Sequence, residues 1–381
     1  MSPRSEENNM QQMPVVDFDS APFLVIWETT QACDLACQHC RASAQPNRDP
    51  RELTTEEGLA LLDDVASMGT PVFVFSGGDP VKRADLPQMV RYGKDKGLRV
   101  GTIPAASPSL RRQDVFALRD AGLDQMAVSL DFPRADLHDG FRGVPGSFAK
   151  TMEAVAWAHE AELPLQVNTT ICADSYPYFR EMAEFVKTLG IVFWEVFFLV
   201  PMGRGEGLKG LTAAQCEELF AILYRVQKEM GYIVKITEAQ HYRRYVAQRE
   251  AEGSGARPPR DAGGKAELPQ QLRRSEGPGH TVGFAPRAVN SGNGFGFVSH
   301  IGEVYPSGFL PFYAGNVRDR PFSDIYRNSE IFRQLRNPDL LTGRCGRCEY
   351  RAICGGSRSR AYALTGSVLA TDPWCGYEPQ G

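Results

Sequence analysis

At 381 residues the chain is long enough for one large domain and a smaller one. A net charge of −4 and a pI near 6.0 give no electrostatic case for nucleic acid as a partner, and no apolar run approaches the roughly twenty residues of a bilayer helix. Residues 1–20 are polar and lack the apolar core of a secretory signal, so the chain reads as cytoplasmic and its nine cysteines favour metal binding over disulfides.

After a flexible N-terminus (1–20), the pattern from 21 to 231 alternates between strands and helices. Strands are predicted at Phe23–Thr30, Pro71–Ser76, Leu98–Ile103, Gln125–Asp131, Leu165–Ile171 and Val192–Val200. Helical patterns fall between them at Thr55–Met68, Leu86–Lys96, Arg112–Ala121, Ser147–Glu160 and Tyr178–Leu189. The first opens on a capping box, Thr54-Thr55-Glu56-Glu57, and others end near Gly97, Gly122 and Gly190. This βα alternation predicts an α/β fold, a parallel sheet curling into a partial (β/α)6 TIM-type barrel. In such folds the loops after the strand C-termini build the active site.

A long helix, Thr212–Met230, and a short strand, Tyr232–Ile236, follow. Residues 232–293 read as a connecting segment, and 251–279 within it are rich in Gly, Pro and charge, as expected of a mobile linker or a lid. Phe295–Ser299 and Glu303–Pro306 read as a hairpin that opens a C-terminal unit, 294–381.

Two constellations follow predicted strands. Cys33-Asp34-Leu35-Ala36-Cys37-Gln38-His39-Cys40 comes directly after the first. Three thiolates can hold three irons of a four-iron cube and leave the fourth open to chelate and reduce a ligand; with His39, the same residues could instead form a zinc knuckle. Ser76-Gly77-Gly78-Asp79-Pro80 ends the second strand, and its glycines allow close backbone approach. A single knuckle leaves that turn unexplained.

The Cys-x3-Cys-x2-Cys loop followed by a strand-end Gly-Gly-acid-Pro closely resembles the radical S-adenosylmethionine (SAM) enzymes. The resemblance implies a 4Fe–4S cluster on Cys33, Cys37 and Cys40 whose open iron binds SAM. Reductive cleavage of SAM then yields a 5′-deoxyadenosyl radical, with electrons from a donor such as flavodoxin or ferredoxin. It also implies SAM contacts from Gly77, Gly78 and Asp79 (many relatives have Glu there). Ser129 and Arg142 would meet the carboxylate or ribose, Asn168 the ribose, and His39 and Met202 the adenine. Strand-end capping is the ordinary alternative for Ser129 and Arg142. Thr102-Ile103-Pro104-Ala105 departs from the relatives' Thr-Asn-Gly and receives no role. Cys172 and Cys216 read as buried inert thiols.

Cys345-x2-Cys348-x5-Cys354 and then Cys375 close the chain. Spacing leaves a second iron–sulfur cube and an all-cysteine zinc site equally open. The hairpin and these cysteines resemble the SPASM/Twitch extension of radical SAM enzymes, which implies a small α+β unit with one auxiliary 4Fe–4S cluster. The segments around Gly308, Gly315, Cys345 and Cys354 look most like proteins of heme d1 synthesis and the alternative heme pathway. That likeness implies a small-molecule tetrapyrrole substrate whose propionates are modified. Arg344, Arg347, Arg351, Arg358 and Arg360 could meet propionates, although arginines beside a cysteine cluster ordinarily balance its charge. His241, His280 or His300 could ligate a porphyrin iron, but a lone His is usually structural. The alternative substrate is a peptide or protein; the segment before the first strand is short for a folded leader-binding domain. A non-enzymatic metal scaffold ranks below both.

Overall fold

The computed structural model describes residues 16–230, 232–254, 268–269 and 288–380. Most of the expected N-terminal segment 1–20, most of the expected linker 251–279, and His280 lie outside the described residues. One sheet organises the rest. Its parallel run is β1 (Leu24–Glu28), β2 (Val72–Ser76), β3 (Arg99–Thr102), β4 (Gln125–Ser129), β5 (Leu165–Ile171), β6 (Phe193–Phe198) and β7 (Ile233–Thr237), paired in chain order. The six strands read from sequence are all present, each within a few residues of its expected ends.

Helices α1 (Thr55–Ser67), α2 (Leu86–Asp95), α3 (Arg112–Asp120), α5 (Ser147–Glu160), α6 (Phe179–Lys187) and α7 (Ala213–Glu229) correspond to the expected patterns; α4 (Ala135–Arg142) is new. The capping box forms as read: Thr54 accepts from the Glu57 amide at 3.2 Å and the Glu57 carboxylate accepts from the Thr54 amide at 2.8 Å. β1, β2 and β6 carry near-continuous apolar runs, whereas β3, β4, β5 and β7 mix apolar with polar residues. Val25, Trp27, Phe73, Phe75, Val100, Val128, Val167 and Trp194 pack with α-helical residues such as Leu62, Val65 and Met89 into one core.

Two features depart from the sequence reading. β7 is the seventh strand of the parallel run, pairing with β6 from Phe193–Ile233 to Phe197–Thr237. In addition, the C-terminal hairpin joins the barrel sheet itself. β8 (Phe295–Val298) runs parallel to β1, while β9 (Glu303–Tyr305) and β10 (Gly315–Asn316) extend it antiparallel. Sequence periodicity cannot report which edge a distant strand will find, and here the free edge of β1 receives it.

Past β7, α8 (His241–Ser254) leads to the C-terminal unit with α9 (Phe322–Asn328), α10 (Glu330–Arg336), α11 (Gly343–Gly346) and α12 (Arg358–Thr365). No helix among the described residues is long and apolar enough to cross a membrane.

The joint between the two parts is a buried polar cluster. Arg360 and Asp372 are fully buried and form a bidentate pair at 2.9 and 2.6 Å, with the guanidinium over Trp374 at 4.2 Å. Burial pushes the Asp372 carboxyl up, but Arg360 outweighs it and holds the group at about 2. Arg360 also donates to the Glu238 carbonyl, and Ser357 and Ser359 donate to the Glu238 carboxylate, tying α12 to the end of β7. Asp372→Asn strips the buried guanidinium of its counter-charge and is expected to cost about 3–5 kcal/mol. Denaturant titration of the assembled protein measures this, and a change below 1 kcal/mol would contradict it.

Candidate active site

The first cysteine loop is pinned at its base and clasped from three sides. Cys33 N donates to Gln45 O at 2.8 Å and Gln45 N to Gln31 O at 3.0 Å, closing the loop on itself. From the end of β2, Gly78 N and Asp79 N donate to Thr30 O and Ala32 O, both at 2.7 Å. From the end of α4, the Phe141 and Arg142 carbonyls accept from Gln38 N at 2.9 Å and Ala36 N at 3.1 Å. After β6, Arg204 N donates to Cys40 O at 3.1 Å and Arg204 Nε to Cys37 O at 2.9 Å.

Glycine makes each approach possible. A Cβ on Gly78 would lie 2.5 Å from Ala32 O, and one on Gly77 2.5 Å from Thr30 O. Gly203 and Gly143 both have positive φ, and their Cβ atoms would strike Arg41 O at 2.4 Å and Ala36 O at 2.7 Å.

Every sulfur in the loop has a donor. Leu35 N reaches Cys33 Sγ and Ala44 N reaches Cys40 Sγ, both at 3.4 Å, and Arg142 Nη1 reaches Cys37 Sγ at 3.6 Å. Burial nevertheless pushes the Cys33 thiol up to about 12, so a bound cation would stabilise the thiolate there. Donor-supported thiols on a rigid loop, two of them buried, fit such a group. They do not fit the zinc knuckle: His39 is stacked on Phe141 at 4.5 Å with its Nδ1 buried and unpartnered. Among the described residues no three His, Cys, Asp or Glu side chains are placed to hold one metal ion. Burial lowers the His39 pKa to about 4, so its ring is neutral.

The barrel encloses a cavity of about 230 Å³ that reaches Arg41, next to the loop. Ile26, Val74, Phe197, Phe297 and Phe309 give it apolar walls, and Arg41 places a cation directly after Cys40. A polar ladder crosses β4 to β7: Gln125 donates to Gln166 at 2.5 Å, and Gln166 to Asn168 at 2.6 Å and to Glu195 at 3.0 Å. Glu195 in turn pairs with Lys235 at 2.9 Å and accepts from Thr237 at 2.6 Å.

Comparison with known proteins agrees with this arrangement. Residues 27–186 match the radical SAM superfamily. The chain is 38% identical to the AdoMet-dependent heme synthase of Oleidesulfovibrio alaskensis over 97% of its own length and 91% of that protein's. The chain is a radical SAM enzyme. It is also 38% identical to the AdoMet-dependent heme synthase of Methanosarcina barkeri, covering 96% of this chain and 99% of that one. The crystal structure of Streptococcus suis SuiB bound to S-adenosylmethionine shares its fold, with a TM-score of 0.68 at 15% identity over 94% of this chain and 78% of SuiB. Membership brings a 4Fe–4S cluster and SAM as cofactors.

Within this radical SAM enzyme the expected SAM-site residues fall at the strand ends, with unequal freedom. Asp79 is fully buried and its carboxylate accepts from Ser107 Oγ at 2.8 Å, Ala105 N at 3.3 Å and Val81 N at 3.4 Å. Ser107 and Ser109 also hold Asp34 of the cysteine loop. The segment after β3, to which the sequence reading gave no role, thus braces the loop; its Ser-Pro-Ser was the available signal.

Arg142 pairs with Asp131 at 2.6 Å as well as meeting Cys37, so it supplies a counter-charge to the loop. Asn168 stands in the polar ladder and Met202 precedes the Gly203 clasp. Cys172 and Cys216 are fully buried in the core, as expected of inert thiols.

The second cysteine set surrounds a small cavity, about 20 Å³, whose walls include Cys345, Cys348, Cys354 and Cys375. Gly356 N donates to Cys354 Sγ at 3.3 Å and Arg358 Nη2 to Cys345 Sγ at 3.7 Å. These donors suit a four-thiolate cluster. Arg358 and Arg360 are buried in this framework, and Arg344 and Arg351 pair with Glu378 and Asp339 at the surface. Those four therefore have structural partners. His300 is held between Glu28 (3.2 Å) and Asp49 (3.7 Å), and His241 is fully buried beside Phe220 and Asp372. Neither lines the barrel cavity.

Proposed function

We propose that the enzyme modifies propionate side chains of an iron tetrapyrrole in heme-related biosynthesis, within the cytoplasm. In this reading Cys33, Cys37 and Cys40 hold the SAM-binding 4Fe–4S cluster, and Cys345, Cys348, Cys354 and Cys375 hold an auxiliary one. When bound and reduced by a flavodoxin or ferredoxin, the first cluster supplies the electron that cleaves SAM into methionine and a 5′-deoxyadenosyl radical.

The chain's own residues position and protect that chemistry. The backbone of Gly77 and Gly78 is offered to the SAM amino group, while the engaged Asp79 side chain keeps that turn in place. Ser129, Asn168, His39 and Met202 line the remaining approach to the nucleoside, and Arg142 offsets the charge at Cys37. The apolar cavity walls keep water from the radical's path.

The observation that carries the substrate class is the 38% identity to AdoMet-dependent heme synthases across nearly the whole of both chains. An aromatic-walled cavity also lined by Arg41, Lys235 and Arg243 suits a flat, carboxylate-bearing ligand. The test is anaerobic reconstitution followed by SAM, dithionite and either iron coproporphyrin III, siroheme or didecarboxysiroheme. The expected result is 5′-deoxyadenosine together with a tetrapyrrole that has lost carboxyl groups. Unchanged tetrapyrroles alongside crosslinking or cyclisation of a precursor peptide would favour the peptide maturase instead.

A further inference from the structure

Three basic side chains line the barrel cavity, and they are not equivalent. Arg41 pairs with Glu28 at 2.7 Å and also donates to Gly308 O. Lys235 pairs with Glu195 at 2.9 Å. Arg243, on the first turn of α8, has no carboxylate partner among the described residues. Its guanidinium donates to two backbone carbonyls, Ile353 O at 3.2 Å and Val289 O. A guanidinium carries five N–H donors, so part of its fork remains for another acceptor.

A sequestered cation that no carboxylate meets is costly to keep. An anionic ligand reaching the free part of the fork would complete a charge-assisted pair. Val289, Asn290 and Ser291 form the wall beside it, and Arg41, next to Cys40, lines the same cavity. The cavity therefore connects the SAM-cluster loop to a carboxylate-seeking fork.

We propose that Arg243 anchors a propionate carboxylate of the substrate, so that the rest of the tetrapyrrole extends through the cavity toward the Cys33–Cys40 loop. This rests on the tetrapyrrole reading above. The competing role is charge balance for Cys354, whose thiol is close enough to influence Arg243.

The experiment uses the full chain with its clusters reconstituted and follows binding of iron coproporphyrin III by Soret absorbance. Arg243→Gln should weaken binding roughly 10- to 100-fold, the loss of one charge-assisted pair, with iron and sulfide contents retained. Arg243→Lys should recover part of the loss. Equal affinity of the native and Gln proteins overturns the anchor and leaves the substrate reading standing. Failure of the native protein to bind iron coproporphyrin III, siroheme and didecarboxysiroheme alike overturns the substrate reading itself. Should the Gln variant not assemble, native protein decides: the tetramethyl ester of the same porphyrin should bind at least 10-fold more weakly, and equal binding overturns the proposal.

Discussion

Replacing Cys33, Cys37 and Cys40 together by alanine is expected to abolish formation of 5′-deoxyadenosine from SAM under dithionite. It should also remove one cluster's worth of iron and sulfide while leaving that of the second set. The expectation follows from how the loop is built. Its three sulfurs each have a dedicated donor, and its backbone is fixed from the ends of β2, α4 and β6. The frame survives the substitutions, since those bonds use backbone groups and Arg204, so loss of the cluster is separable from loss of fold. The second set sits behind the Arg360–Asp372 cluster, in a different part of the chain, and should load independently. Iron counting, circular dichroism and chromatography of the SAM products decide the matter. Persistent cleavage by the triple variant would refute the assignment.

Gly78→Ala should be nearly as damaging to the first cluster while removing no ligand. The new methyl would stand 2.5 Å from Ala32 O and 2.6 Å from Gln31 O, both backbone atoms with no rotamer to yield. Either the β2 turn or the cysteine loop must move. Forced overpacking of this kind costs about 1–3 kcal/mol or more, and here the displacement falls on the chain that leads into Cys33. Sub-stoichiometric loading of the first cluster is therefore expected, with a lowered denaturation midpoint. Gly140→Ala, in α4, is the control, since a Cβ there meets nothing within 4 Å. Full loading of the Gly78 variant would show that the turn can retreat without moving the loop.

The glycine turn illustrates how far local sequence reaches. Its position after a strand, and the need for glycine, were legible from Gly77-Gly78 alone. The reason was not. Sequence suggested room for a ligand, whereas the immediate obstacle to a side chain is the backbone of residues 30–32. Arg142 is similar: the sequence offered it as a ligand contact, and its partners within the protein, Asp131 and Cys37, emerge only from the fold. The helix that delivers it, Ala135–Arg142, is only eight residues long, lacks a side-chain N-cap and carries Gly140 in its interior, so it has few of the signals that announce a helix. Arg243 gave no sequence signal, because a lone arginine becomes informative only when its counter-charges can be counted.

The sequence by itself determined the chemistry this protein can assemble. Thiol spacing, strand-end placement and the βα alternation are short-range properties, written in consecutive residues. Tertiary structure decided which surfaces meet. It put β8 on the free edge of β1, made β7 the seventh parallel strand, and set Ser107 under Asp79. It also left Arg243 lining the cavity with no carboxylate partner among the described residues. These are contacts between residues far apart in the chain, set by packing and by pairing of buried charge, and no local pattern encodes them.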